Sequence, residues 1–425
     1  MRTILATFSF IFLFTQLSFA QSIIYGTVTD VVTNEQLPFA TISFSGTTIG
    51  TISNGQGQYS LQIPDPPPSE SVTISYIGYE SKTFLIEDLK RTPEIVLSPS
   101  ITQLKELVIL PLSAEEYLRR AIRKYPVNYA SKPFSTQAYY REVFTENNQY
   151  VVLNEGVFRS SYPNFQDTIP NLHQLVLFRE KSEKDQIDFM KQWVEEKNEK
   201  EKKKALKKGE EWDEENEEAR DIIQMGFGGP EQILKMDLAK NSEMCLDTTK
   251  FKKFRYSFGQ VLDYQGHELM EILFESKGTV EHERMTGTIF LDIASDAIIG
   301  VEYEGKLVIP AVVKPILLAF GLSIKDPRFS KKIRYQYMDG KWYPDTFQWN
   351  VSTGLKKRYV FKTNEDSYFT GHQIFKVNEL AVGSTHDIPD SLTFDPEKDP
   401  KTQVKPIGID WANINTLPVE KLSNR

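Results

Sequence analysis

Within TTIGTISNGQGQYSL, residues 47–61, Gly50, Gly55 and Gly57 fall inside eight positions. Glycine at that density can cradle a phosphate, shape a calcium loop or turn a chain. A phosphate loop needs a lysine followed by serine or threonine after the glycines, and none follows. A calcium loop needs several carboxylates, and residues 47–61 contain neither Asp nor Glu. Chain reversal is left. Asn54-Gly55 is a strong reversal signal because both residues tolerate positive φ. Gly46 and Gly50 bracket a second reversal.

The other chemistry-bearing residues form no recognised pattern. The five histidines are His173, His267, His282, His372 and His386. His267-Glu268 runs on into Leu-Met-Glu and His282-Glu283 into Arg-Met-Thr, so neither opens an H-E-x-x-H pair. Both lie in strand-like hairpins that could bring them together, and both are read as surface or internally satisfied histidines. Cys245, in SEMCLDTT, is the single cysteine. One thiol makes no internal disulfide, and its apolar neighbours mark it as a buried structural residue. There is no G-x-S-x-G elbow. The 58 acidic residues will form chance pairs anywhere, so none is assigned to catalysis. No catalytic, metal or cofactor residue is assigned, and no cofactor is expected.

The elements that would position any site are mostly strands. The chain has 425 residues, enough for two or three domains, and 27 Phe with 19 Tyr favour β structure. A sequence pI near 5.4 argues against a nucleic-acid partner. Arg2, the apolar run 4–19 and Ser18-Phe19-Ala20 read as a secretory signal over 1–20, cleaved before Gln21. Export through a cleaved leader is therefore expected.

Residues 21–98 alternate at period two. Ala40, Ile42 and Phe44 oppose Thr41 and Ser43; Tyr59, Leu61 and Ile63 oppose Ser60 and Gln62; Val72, Ile74 and Tyr76 oppose Thr73 and Ser75. Turn residues separate these runs, the pattern of a small antiparallel sandwich. The elements GTVTD, LPFATI, GTTIGTISNGQGQYSL and SYIGY, in that order, resemble the carboxypeptidase-regulatory-like domain. That transthyretin-like domain is found at the N-terminus of exported Bacteroidetes proteins, including TonB-dependent receptors. The resemblance implies a Greek-key β-sandwich and no peptidase activity of its own; the His-x-x-Glu pair of true carboxypeptidases is absent. Asn54 departs from the Asp often found there. The residues after Leu110 are too few for a plug and a barrel of about 22 strands.

A linker, 99–112, leads to a β-rich domain over 113–400 and a tail, 401–425. Ser113 with Glu116 makes a capping box. The helix it opens carries Tyr117, Leu118, Ala121, Ile122 and Tyr125 on one face and ends at Pro126. Later segments read as hairpins, with turns near Asp263-Tyr264, at Ala294-Ser295-Asp296 and at Asp339-Gly340. Residues 179–220 are dominated by Lys and Glu and read as a solvated helical insertion. GTIFLDIASDAIIGVEYEG resembles a strand pair of lipoprotein-sorting half-barrels, which implies a sheet wrapped over a cavity for acyl chains. The whole is expected to be mainly β: a sandwich, then a larger curved antiparallel sheet, half-barrel-like, with a few helices.

Residues 307–324, LVIPAVVKPILLAFGLSI, form the most apolar stretch after the leader. Two prolines and Lys314 exclude a membrane-spanning helix. The stretch reads as a core segment or lid, or as an apolar-ligand flap built from Leu307, Val308, Ile309, Val312, Val313, Ile316, Leu317, Leu318 and Phe320, or as a patch resting on a membrane surface. The leading functional expectation is a non-enzymatic envelope protein with a binding or scaffolding role at the periplasmic side of the outer membrane, with an outer-membrane or periplasmic protein as partner. Two alternatives stand beside it: a carrier of a lipid or other apolar ligand, and a hydrolase related to carboxypeptidases.

Overall fold

The structure, a computed structural model, describes residues 22–100, 112–164, 170–181, 188–189, 199, 202–209, 230–319, 321–360, 363–396 and 398–422. The leader 1–20, most of the linker 99–112 and most of the insertion 179–220 lie outside them. Within the insertion, residues 179–180 complete a strand and 202–208 are helical.

Seven short strands build the sandwich: β1 (Ser22–Asp30), β2 (Thr41–Phe44), β3 (Gly50–Ile52), β4 (Gln58–Ile63), β5 (Ser71–Ser75), β6 (Lys82–Leu85) and β7 (Glu94–Leu97). One sheet has the order β4-β1-β7 and the other β3-β2-β5-β6. β7 lies parallel to β1; the chain passes through β5 and β6 of the other sheet and returns to β7 by way of the helix Ile86–Arg91. Alternation puts Ile42, Phe44, Tyr59, Leu61, Val72 and Ile74 in the core, each fully buried. Burying each such side chain stabilises the fold by about 1.5–3 kcal/mol.

Ten strands form the large sheet: β8 (Phe134–Glu146), β9 (Gln149–Tyr162), β10 (Leu172–Glu180), β11 (Phe254–Tyr264), β12 (His267–Ser276), β13 (Glu283–Asp292), β14 (Ile298–Leu307), β15 (Leu322–Met338), β16 (Lys341–Lys357) and β17 (Glu365–Val382). All neighbours are antiparallel, in the order β10-β9-β8-β17-β16-β15-β14-β13-β12-β11. The two outer strands do not pair, so the sheet is open. One apolar cluster joins Tyr140 and Phe158 near one edge to Leu269 and Phe274 near the other. The inner face therefore wraps around its own filling. That filling is the helix Ala114–Arg123, through Tyr117, Leu118 and Ala121, and the segment 233–254, through Leu238, Leu246 and Phe251.

The capping box is present: Ser113 accepts from the Glu116 backbone N–H, and the Glu116 side chain accepts from Ser113 N–H at 2.8 Å. The helix stops at Arg123, earlier than expected. Pro126 sits instead in a following single turn, Tyr125–Asn128, where a proline near the start leaves no donor unpaired. Asp339-Gly340 turns as expected, with φ of 50° and 78°. The β11–β12 reversal falls on Gln265-Gly266, with φ of 54° and 81°, two residues after the expected point. The residues free to turn are those after Tyr264, whose side chain is buried. Among residues 54–57 the left-handed residue is Gly57, at φ 69°, and not Asn54 or Gly55. A Cβ on Gly57 would lie 2.9 Å from Val28 O, so close packing on β1 also requires the glycine.

Candidate functional site

The sandwich rests on the outer face of the large sheet, and a third element locks it there. Ile52 of β3 packs with Tyr139, Val157, Val176 and Ile374 of the sheet and with Ile414 and Leu417 of the tail. The tail runs between the two domains as a strap. Ser60 Oγ donates to Thr416 O, and Asn415 Oδ1 accepts from Gln62 N at 2.7 Å. Gly55 N donates to Glu420 Oε1 at 2.8 Å, and Tyr150 Oη donates to Glu420 O at 2.6 Å.

Asn54 is the hinge of this arrangement. Its Oδ1 accepts from Gln56 N and Gln58 N, each at 2.9 Å, which shapes the turn. Its Nδ2 donates to Pro418 O at 3.2 Å. An aspartate shapes the same turn but has nothing to donate to that carbonyl. The glycine-rich stretch is thus a set of turns, and its asparagine holds the strap.

Beneath the strap lies a buried ionic cluster. Glu155, fully buried, accepts from Tyr139 Oη, from Arg141 Nη2 at 2.8 Å, from Arg179 Nε at 2.7 Å and pairs with Lys181 Nζ at 2.7 Å. Arg141 also donates to Leu417 O and, at 2.9 Å, to Pro418 O. Burial alone would raise the Glu155 carboxyl. The charge of Arg141 and the hydrogen bonds from Lys181, Tyr139 and Arg141 overcome it and hold the group at about 2.

Beside the strap, sandwich and sheet enclose an open cleft of about 770 Å³. The sandwich lines it with hydroxyls, among them Thr41, Ser43, Thr51 and Thr73. The β11–β12 and β15–β16 turns add Asp263, Gln265, Gln336, Tyr337 and Asp339. Asp345 and Lys376, both 4% exposed, form an ion pair in its wall. Glu80 also lines the cleft, so the carboxylates outnumber the single ammonium. This chemistry suits a neutral, hydroxyl-bearing ligand and opposes an anion or an acyl chain.

The apolar segment is elsewhere. Leu307 ends β14, Val313–Ala319 is a short helix, and β15 begins at Leu322. The helix includes Val313, Ile316, Leu317 and Leu318, Val308, Ile309 and Val312 precede it, and Phe320 lies outside the described residues. The segment is the tip of the β14–β15 hairpin. Leu307, Val312 and Leu318 are exposed, and none of the described residues 308–319 lines either of the two open clefts. At the inner face, the space beside Tyr129, Trp342 and Asp237 measures about 10 Å³, room for about a single water and far too little for an acyl chain.

The histidines are dispersed. His267 opens β12 and bonds Asp292 Oδ1 at 3.1 Å, whereas His282 precedes β13 at the far end of that hairpin. A ten-residue strand separates them, about 30 Å. His173 is packed beside Ser160, and burial pushes its imidazole down to about 4. His372 is half-buried beside Phe39, and His386 Nδ1 lies 2.8 Å from Arg159 Nη2. Cys245 is buried, and burial pushes its thiol up. Among the described residues no three of His, Cys, Asp and Glu gather as metal ligands, and no helix is long and apolar enough to cross a membrane.

Sequence reading missed the strap, the Arg141–Glu155 cluster and the cleft. A signal was available in Asn54, whose departure from Asp marks a position that must donate.

No curated protein matches the chain. Among solved structures, a DUF1329 family protein from Desulfovibrio piger is 7% identical, with 63% of this chain and 91% of that one covered and a TM-score of 0.23. Lipovitellin, in a structure described by its lipid–protein interactions, is 8% identical, with 60% and 26% covered and a TM-score of 0.25. Scores this low transfer neither fold nor function. The sequence of residues 24–109, by contrast, matches the family model of the CarboxypepD_reg-like domain, and the sandwich built from it is such a domain.

Proposed function

We propose that this is an exported, non-enzymatic binding protein of the cell envelope. It acts at the periplasmic side of the outer membrane, and its ligand site is the cleft between sandwich and sheet. The supporting observation is the cleft's chemistry. Hydroxyls and amides face an exposed tyrosine ring, with carboxylates in excess of ammonium groups. Neutral polyhydroxylated compounds such as oligosaccharides satisfy those donors and acceptors and stack on Tyr337, which is 46% exposed. The strap bonds to both the sandwich and the sheet, so it ties together the two domains that wall the cleft.

Calorimetric titration of the mature chain with an oligosaccharide panel tests this reading. At least one neutral glycan should bind, and Tyr337→Ala with Gln336→Ala should weaken it by tenfold or more, about 1.4 kcal/mol. Binding that ignores both substitutions, or a panel without any binder, would remove the cleft as the ligand site. Recovery of the native protein in the cytoplasm alone would remove the envelope assignment.

A further inference from the structure

The end of the large sheet farthest from the cleft pairs an exposed apolar tip with a concentration of positive charge. Val312 and Leu318 in the β14–β15 connection are 77% and 64% exposed, and Val360 in the β16–β17 connection is 87% exposed. The two connections are held as one unit. Arg358 N donates to Gly321 O at 2.8 Å, and Gly321, at φ 69°, leaves no room for a Cβ, which would lie 2.6 Å from Arg358 O. On the other side, Val308 N donates to His282 O at 2.6 Å.

The charge around this unit runs against that of the molecule. Residues 305–332 carry six basic side chains and one acidic; residues 351–360 carry three basic and none acidic; the chain as a whole is at −8. Asp326 is shared by Lys306 and Arg328, at 2.8 and 2.6 Å. Asp366 bonds Lys325 at 2.6 Å. Among the described residues, Lys314 and Arg358 have no carboxylate partner, nor does Arg284 on the adjoining outer face. Arg284, Lys306 and Arg328 line a second open cleft of about 550 Å³ beside the tip.

Lys331 and Lys332 pair with Glu243 and Glu302, so the cations left for an outside partner are chiefly Lys314 and Arg358. Exposed aliphatic side chains beside these two cations match one kind of surface: a bilayer with anionic headgroups. The aliphatic groups enter the headgroup–acyl boundary, while the long basic side chains reach phosphates at the same depth. We propose that the paired tip, residues 307–319 and 321–324 with 358–360, docks on an anionic membrane surface without spanning it. The cleft is lined by the β11–β12 and β15–β16 turns at the opposite end of the sheet, so docking leaves it accessible. The proposal does not depend on what the cleft binds.

Vesicle co-sedimentation of the mature chain decides it. Binding should be clear with phosphatidylglycerol–phosphatidylcholine vesicles and at least tenfold weaker with phosphatidylcholine alone. It should fall by about tenfold as salt rises from about 0.05 to about 0.5 M, because exposed charges are screened. Val312→Asp with Leu318→Asp, and separately Lys314→Glu with Arg358→Glu, should each lower it by about tenfold or more. All four positions are at the surface, and unchanged thermal unfolding of the variants will show that the fold is kept. As a second readout, Leu318→Trp fluorescence should shift to the blue on anionic vesicles only. Equal binding to both lipid compositions, or unaltered binding by both double variants, would overturn the proposal. So would a dimer in lipid-free solution that Val312→Asp with Leu318→Asp dissolves, since the tip would then be covered by a second copy.

Discussion

Glu155 has four cationic or hydroxyl donors around one buried carboxylate, and its proton affinity follows from them. Arg141 and its companions stabilise the ionised form more than burial destabilises it, so the folded group sits at about 2 against an ordinary 4.5. A carboxyl depressed on folding contributes stability that is complete above its unfolded value. That contribution is lost as pH falls through the folded value. The window for Glu155 therefore runs from about pH 4.5 down to about 2. Glu155→Gln abolishes this share of the acid dependence. It also leaves Arg141 buried with less compensation, which costs about 3–5 kcal/mol near neutrality. Urea unfolding at about pH 7 and about pH 3 separates the two effects. The variant should start lower and lose less on acidification than the parent. Equal losses would mean that Glu155 is not the carboxylate that the strap depends on.

At the scale of elements, the tail behaves as a missing layer of the interface. It supplies Ile414 and Leu417 to an apolar cluster shared by sandwich and sheet, and carbonyls to Arg141 and Asn54. Ending the chain at Gly408 removes both apolar side chains, a loss of about 3 kcal/mol or more. Amide exchange should then accelerate in β3, β4 and β8, which the strap covers. Exchange that stays unchanged there would show that the domains hold together without it. The strands around this strap were legible because half-buried strands must alternate, and Ile42 and Phe44 against Thr41 and Ser43 cannot be mistaken for a helix. Turns were legible where glycine or Asn-Gly chemistry forced them, though Gly57 carries the positive φ and not Asn54. The strap left no such mark. It is an extended coil with no period of its own, and its partners lie 276 and 364 residues away along the chain. The cleft was hidden for a related reason. Its hydroxyls are the polar half of a strand alternation, which looks the same whether the face meets water or a second domain. Apolar composition at 307–324 was plain, but composition does not say whether such a segment turns inward, and Val312 and Leu318 turn outward.

At the scale of the molecule, the question is whether sandwich and sheet are two proteins joined by a linker or one cooperative body. The sandwich closes a core of its own, from Ile24 to Leu97, with no contribution from the large sheet. It is small, however, and a domain of under about 80 residues without disulfides or metal rarely exceeds 3–5 kcal/mol of stability. In the full chain, Ile52 and Ser75 are nearly inaccessible because the sheet and tail cover them. Coupling through that interface should raise the unfolding midpoint of the sandwich to that of the sheet. Residues 22–100 expressed alone should therefore fold, with dispersed amide resonances, yet melt well below the full chain, and the full chain should unfold in one transition. Two separate transitions in the full chain would mean that the interface contributes little. The cleft would then open and close freely, and ligand binding there would carry a cost in ordering the domains. A single transition would mean that the carboxypeptidase-regulatory-like sandwich serves here as a fixed wall of the site, with its turn at Asn54 as the fastening point.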